Sequence, residues 1–156
     1  YDGSRSILYE GHPVAIPGKE LGRDNFTQIP NGLPGVGDRL PVLWTHGVGA
    51  GRLTPNQFVA LNATNPARIF GLYPRKGALV PGADADIVLW DPRKKVTYGV
   101  AQAQHRTDYN LYEGWELTGS PAMVFLRGEC LVQDGRWLGR SGYGRFLKRS
   151  PFSEVL

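Results

Sequence analysis

The sequence predicts an α/β chain in which short helices come first and strands follow. Two observations carry this. Apolar residues recur at helical spacing from Arg39 to about Phe70. After Pro74 they gather in short runs divided by Gly, Asp and Pro, the pattern of strands and tight turns. A third observation sets the scale: 156 residues, 41% hydrophobic and 21% charged, suffice for one domain with a real core and exclude wholesale disorder.

Taken in order, residues 1–38 are expected to be loop-like, because Gly, Pro, Asn and Asp recur too often for a long helix or strand. The densest run is IPNGLPGVGDR, residues 29–39. Leu40, Leu43, Trp44 and Val48 then fall at i, i+3, i+4 and i+8, one face of a helix, and Gly47, Gly49 and Gly51 are expected to end it. Thr54-Pro55-Asn56-Gln57 reads as a second start. Thr54 is the N-cap, Pro55 takes the first helical position, and Gln57 completes a capping box. Phe58 and Leu61 are its expected apolar face. Asn65-Pro66 reads as another cap, opening a short helix through Ile69 and Phe70 that Gly71 stops.

The β signals begin at Lys76–Val80, bounded by Pro81-Gly82. Asp86–Asp91 is a short apolar run fit for a buried strand, and Lys95–Tyr98 is expected to pair with it. Ala122–Leu126, Glu129–Val132 and Arg136–Leu138 read as a meander. Gly128 marks one bend and Asp134-Gly135 the other, a type I′ hairpin dipeptide. The switch from helix to strand puts the junction of two structural units near Pro74–Gly77.

Charge and composition narrow the partners. Of the net charge of +4, +3 lies in the last eighteen residues, where Arg140, Arg145, Lys148 and Arg149 face only Glu154. The rest is close to neutral and has no basic stripe with interleaved aromatics, so no nucleic-acid partner is expected. No apolar run approaches the roughly 18–20 residues of a membrane span. Cys130 is the single cysteine and can form no internal disulfide, which points to a reducing compartment such as the cytoplasm. The chain opens on Tyr1-Asp2-Gly3 without Met and is expected to be part of something longer.

Spacing alone offers little chemistry. His12, His46 and His105 are isolated, with no His-x-His and no paired Cys, so no metal site is readable. Cys130 reads as a small buried apolar residue of a strand. Asp84 and Asp86 could share a cation. The better reading is structural: Gly82 and Asp84 shape a turn, and Asp86 caps the strand entry by accepting backbone N–H bonds. Tyr112-Glu113-Gly114-Trp115-Glu116 reads as a loop that packs its rings on a sheet, with a sugar-binding patch as the rival reading. IPNG differs in kind. Pro30 fixes one peptide and Gly32 frees the next, so the Asn31 N–H and C=O are presented in one direction. A backbone donor and acceptor side by side are what a cyclic amide or imide needs for bidentate hydrogen bonding.

Several segments in order resemble the C-terminal part of dihydropyrimidinases (hydantoinases), which are cyclic amidohydrolases: GKELGRDNFTQIPNGLPGV, GRLTPNQFVALNATNPARIFGLYPRKG, PGADADIVLWDP, DYNLYEGWELTGSPAMVFLRGE and GRSGYGRFLKRSPFSE. The resemblance spans about residues 18–154. It implies an α/β fold: the C-terminal portion of a (β/α)8 amidohydrolase barrel, then strands of the small β-sandwich domain, then a C-terminal tail. Residues 1–75 would be the end of the barrel with the substrate loop and last helices, 76–138 the β-sandwich part, and 139–156 a basic oligomerisation tail.

The activity implied is hydrolysis of the cyclic amide bond of 5,6-dihydropyrimidines or hydantoins to N-carbamoyl amino acids. Two zinc ions bridged by a carboxylated Lys would activate the water, and an Asp at the end of the last barrel strand would shuttle the proton. All these residues would lie N-terminal to the chain, which alone is expected to be inactive. Asn31 is the one site residue carried over, as a substrate-binding residue acting through its main chain; no catalytic residue and no metal ligand is expected here. The family's Asp-His motif should fall near Tyr9-Glu10, where there is no Asp, and residues 1–17 do not resemble the family. A homodimer or homotetramer is implied, and exposed apolar helix faces are expected in isolation. The alternative is a non-catalytic dihydropyrimidinase-like protein used for protein interaction; a small independent β-rich interaction domain is a third reading.

Overall fold

The computed structural model describes residues 6–9, 12–15, 19–29, 31–103, 105 and 109–151, with side chains from Leu21 onward. Tyr1, Asp2, Gly3, Glu10, Pro30 and Glu154, which enter the expectations above, lie outside the described residues. The chain forms two compact units. One comprises Tyr1–Arg39 and Thr97–Leu117, the other Leu40–Val96 and Thr118–Leu156.

The first unit contains a hairpin that the loop-like reading of 1–38 misses. Strand β1 (Ser6–Tyr9) pairs antiparallel with β2 (His12–Ala15), with Tyr9 opposite His12. Four residues per strand are too few for a period-2 pattern to stand out. Two single-turn helices follow, at Lys19–Gly22 and Phe26–Gln28; Asn25 caps the second by accepting from Thr27 N at 3.1 Å.

The second unit begins with helix α1 (Arg39–Leu43), which widens into a π-type turn at Trp44–Val48 where the Gly49 N–H reaches back to Trp44 O. Gly47 does not end this helix, contrary to expectation. It is buried inside it, where a Cβ would stand 2.8 Å from Leu53 Cδ1. Helix α2 (Pro55–Val59) starts as the sequence predicts. Thr54 Oγ1 accepts from Gln57 N at 3.2 Å, and Gln57 Oε1 accepts from Thr54 N at 2.8 Å.

The expected break at Asn65-Pro66 does not occur. Helical backbone runs on through a second π-type turn, Ala60–Thr64, into α3 (Asn65–Ile69), and no side chain caps α3. The wide turn carries the chain past Pro66, which has no N–H to give. Asn62 Nδ2 donates to Phe58 O at 2.8 Å beside this widened turn. Gly71, at φ +64°, does end the helix. Leu61 was expected on the buried face and is 50% exposed; Val59, Ile69 and Phe70 are also half exposed, whereas Phe58 and Ala67 are buried.

The four-stranded antiparallel meander has the order β3-β4-β5-β6. Strand β3 (Ile87–Thr97) unites Asp86–Asp91 and most of Lys95–Tyr98, expected as two paired segments, and runs on through Pro92. At a sheet edge a missing N–H is tolerated, and β3 is an edge strand. Lys76–Val80 forms no strand. Leu79 is largely exposed, and the stretch is held instead by Lys76 N to Leu72 O and Asp84 N to Arg75 O, both at 2.9 Å. Strand β4 (Glu116–Leu126) starts six residues earlier than expected, then meets β5 (Glu129–Gln133) and β6 (Arg136–Trp137). Both connections are two-residue turns with positive φ: Arg127 +49° and Gly128 +82°, then Asp134 +50° and Gly135 +83°. A bulge between Val124 and Phe125 shifts the β4–β5 register.

Three rings join the helices to this sheet. Trp44 meets Phe58 edge-on at 5.1 Å and Trp90 at 5.5 Å, and Phe58 lies 5.7 Å from Trp90. Gly119 makes room on β4, since a Cβ there would stand 2.4 Å from Trp44 Cδ1. Thr45 Oγ1, 2.9 Å from Thr118 O, also accepts from Thr118 N at 2.9 Å, pinning the π-type turn after α1 to β4.

Candidate functional site

Asn31 lies exposed in a stretch, 31–35, that is neither helix nor strand. The turn it opens has the geometry the Asn-Gly pair demands. Gly32 adopts φ +85°, a conformation that costs a side-chain-bearing residue roughly 1–2 kcal/mol. A Cβ at Gly32 would meet nothing within 4 Å, so the requirement is conformational rather than steric. Upstream, Ile29 N donates to Phe26 O at 3.1 Å and closes the preceding turn. Downstream, Asp38 N donates to Gly35 O at 3.1 Å.

Two residues in the same unit were not singled out from the sequence. Asp38 is 2% exposed, and its Oδ2 is buried without a hydrogen-bond partner. Tyr98 donates its hydroxyl to Gly37 O at 3.4 Å. Burial, and then the negative charge of Asp38, push the Tyr98 hydroxyl above its usual pKa, so it stays protonated and available as a donor. An acidic residue directly before an apolar periodic run was the only available signal for Asp38, and it signals a helix start, not burial. Nothing local marks Tyr98, whose partner lies 61 positions away.

The other candidates are structural. Lys76 Nζ lies between Asp86 Oδ2, with which it makes a short contact, and Asp84 Oδ2 at 2.9 Å; Arg75 Nε adds a bond to Asp84 at 3.0 Å. The Lys76 hydrogen bond lowers the Asp84 pKa against the opposing effect of burial, and Arg75 adds to it. Burial works against the Lys76 ammonium, but its bonds to Asp86 and Asp84 prevail and raise its pKa. Asp86 does accept a backbone N–H, though from Arg127 in the β4–β5 turn at 2.9 Å. The pair is thus a clamp on that hairpin. Tyr112 and Trp115 pack edge-on at 5.2 Å on each other. Cys130 Sγ is 3.3 Å from Val132 O.

Among the described residues no three His, Cys, Asp or Glu side chains gather to hold a metal ion. His46 is exposed on its helix, and His105 Nε2 lies 3.5 Å from Asn110 Nδ2. Asp84 and Asp86 are already neutralised. These residues do not fit a zinc pair, and no step through zinc is assigned to them. No helix among the described residues is long and apolar enough to cross a membrane.

Residues 38–131 match the sequence profile of the amidohydrolase family. The chain is 44% identical to the D-hydantoinase of Geobacillus stearothermophilus over 88% of its own length and 29% of that protein's. It is 42% identical to the dihydropyrimidinase of Rattus norvegicus, over 88% of this chain and 27% of the relative. In three dimensions it is similar to the D-hydantoinase of Bacillus sp. AR9, with a TM-score of 0.85 at 44% identity, covering 88% of this chain and 30% of that one. The chain therefore spans just under a third of the length of these relatives.

Proposed function

The chain belongs to the amidohydrolase family, and from that premise we propose that the protein carrying it hydrolyses cyclic amides. The substrates are 5,6-dihydropyrimidines or hydantoins. Water adds to a ring carbonyl carbon, the ring C–N bond breaks, and the nitrogen takes the proton, leaving an N-carbamoyl amino acid. The similarity to enzymes named D-hydantoinase and dihydropyrimidinase supports this substrate class. Zinc ions that activate the water in such chemistry would be held by residues outside this chain.

The contribution of the chain is to hold the ring. In this reading Asn31 N–H donates to a ring carbonyl and Asn31 C=O accepts from a ring N–H. The observation that carries it is the positive φ of Gly32, which turns the Asn31 peptide into an exposed loop. Residues 1–75 act as the end of the barrel, 76–138 as part of the β-sandwich and 139–156 as an oligomerisation tail, in a cytoplasmic homodimer or homotetramer.

The test is turnover of dihydrouracil and hydantoin by the full-length, zinc-loaded protein. Because main-chain atoms do the holding, Asn31→Ala should leave kcat/KM within about threefold, while Gly32→Val, strained at φ +85°, should raise KM roughly tenfold. Absence of turnover would leave the non-catalytic alternative standing. Loss of kcat in Asn31→Ala at unchanged KM would require a chemical role for the side chain.

A further inference from the structure

The loop from Asn31 to Asp38 is rich in glycine, with Gly32, Gly35 and Gly37, and such a stretch loses much conformational freedom on ordering. Something must fasten it if its first residue is to present a peptide in one direction. Tyr98 reaches the loop from another part of the chain, its hydroxyl donating to Gly37 O at 3.4 Å. Its own main chain is fixed on both sides: Tyr98 N donates to Trp115 O at 2.8 Å, and Tyr98 O accepts from Gly114 N at 2.9 Å. Next to it, Glu113 Oε2 accepts from Val100 N at 2.9 Å. The Glu113 carboxylate fills the place a side chain at Gly99 would take, since a Cβ there would stand 2.4 Å from Oε1. The 98–115 segment is therefore closed at a neck, with the Tyr98 ring launched from it toward Gly37 O.

We propose that Tyr98 is a positioning residue for the Asn31 loop, tethering Gly37 from a neck that Glu113 locks. This rests on the reading in which the Asn31 main chain holds the ring. Tyr98 touches no reacting atom. Its hydroxyl removes freedom from a loop end six residues downstream of Asn31. The Glu113–Gly114–Trp115 run thereby gains a purpose that spacing alone did not suggest.

The test uses Tyr98→Phe, which deletes only the hydroxyl, in the full-length protein. KM for dihydrouracil should rise roughly fivefold, the size of one neutral hydrogen bond, with kcat unchanged, and amide exchange over residues 32–38 should quicken. Glu113→Ala should reproduce both effects. Glu113→Gln, which keeps an oxygen for Val100 N–H, should stay near wild type. Unchanged exchange in Tyr98→Phe overturns the tether. Faster exchange with unchanged KM, in a protein where Gly32→Val does raise KM, overturns the positioning role and leaves a structural one. If Gly32→Val also leaves KM unchanged, the ring-holding reading itself falls.

Discussion

The two units bury different kinds of side chain. In the unit of Leu40–Val96 and Thr118–Leu156, the large buried side chains among the described residues are apolar, Phe58 and Leu131, and Phe58 stands against the Trp44 and Trp90 rings. In the unit of Tyr1–Arg39 and Thr97–Leu117, Leu117 is joined by Asp38 and Asn110. The first is held by apolar area, which has no direction and tolerates small shifts. The second also buries polar groups: Asn110 Oδ1 accepts from Tyr112 N at 2.8 Å, whereas Asp38 Oδ2 has no partner, and each such group must find its bond in one geometry or cost free energy. In the proposed reading this unit presents backbone atoms to a ligand, and directional bonds suit that task because direction is what it would supply.

The largest expected effect breaks the apolar side. Phe58→Ala removes the ring that touches both tryptophans and should cost about 3–5 kcal/mol in denaturant unfolding. A loss below about 1 kcal/mol would mean the ring cluster is not what holds that unit. The corresponding cut on the polar side is Asn110→Ala. Asn110 Oδ1 accepts from Tyr112 N at 2.8 Å, so truncation should cost about 1–2 kcal/mol, and Asn110→Asp should recover part of it. If Asn110→Ala matched Phe58→Ala, the contrast drawn between the units would collapse.

The smallest effect concerns the Lys76 clamp and appears only at the ends of the pH range. The folded pKa of Asp84 is lowered, so its stabilisation is complete above the usual carboxylate value of about 4 and is lost as pH falls through the folded one. That of Lys76 is raised, so its stabilisation is complete below about 10.4 and is lost as pH rises through the folded value. Melting temperature should therefore fall on acidification below about pH 4 more steeply in wild type than in Asp84→Asn. Parallel curves would show that the clamp contributes nothing measurable.

Elements whose signals are local were legible. The Thr54 capping box, the Gly71 stop and the Asp134-Gly135 turn each depend on neighbours within four residues, and each formed as read. The failures share a cause. Asn65-Pro66 was read as the start of a new helix and Asp86–Asp91 as a strand separate from Lys95–Tyr98, and in each the missing N–H of a proline is a local fact. Whether it matters depends on a π-type turn in one case and a sheet edge in the other. Lys76–Val80 has strand-like residues but no strand beside it, and its lysine is engaged by Asp84 and Asp86 instead.

The site divides in the same way. Gly32 declared a left-handed backbone position from its residue type alone, because positive φ is a property of one residue and its missing Cβ. The family, too, was readable in ordered segments of sequence. Tyr98, Asp38 and Glu113 were not. The bonds of Tyr98 and Glu113 join groups 61 and 13 positions apart, and no rule of spacing along a chain encodes a hydrogen bond that only the folded path closes.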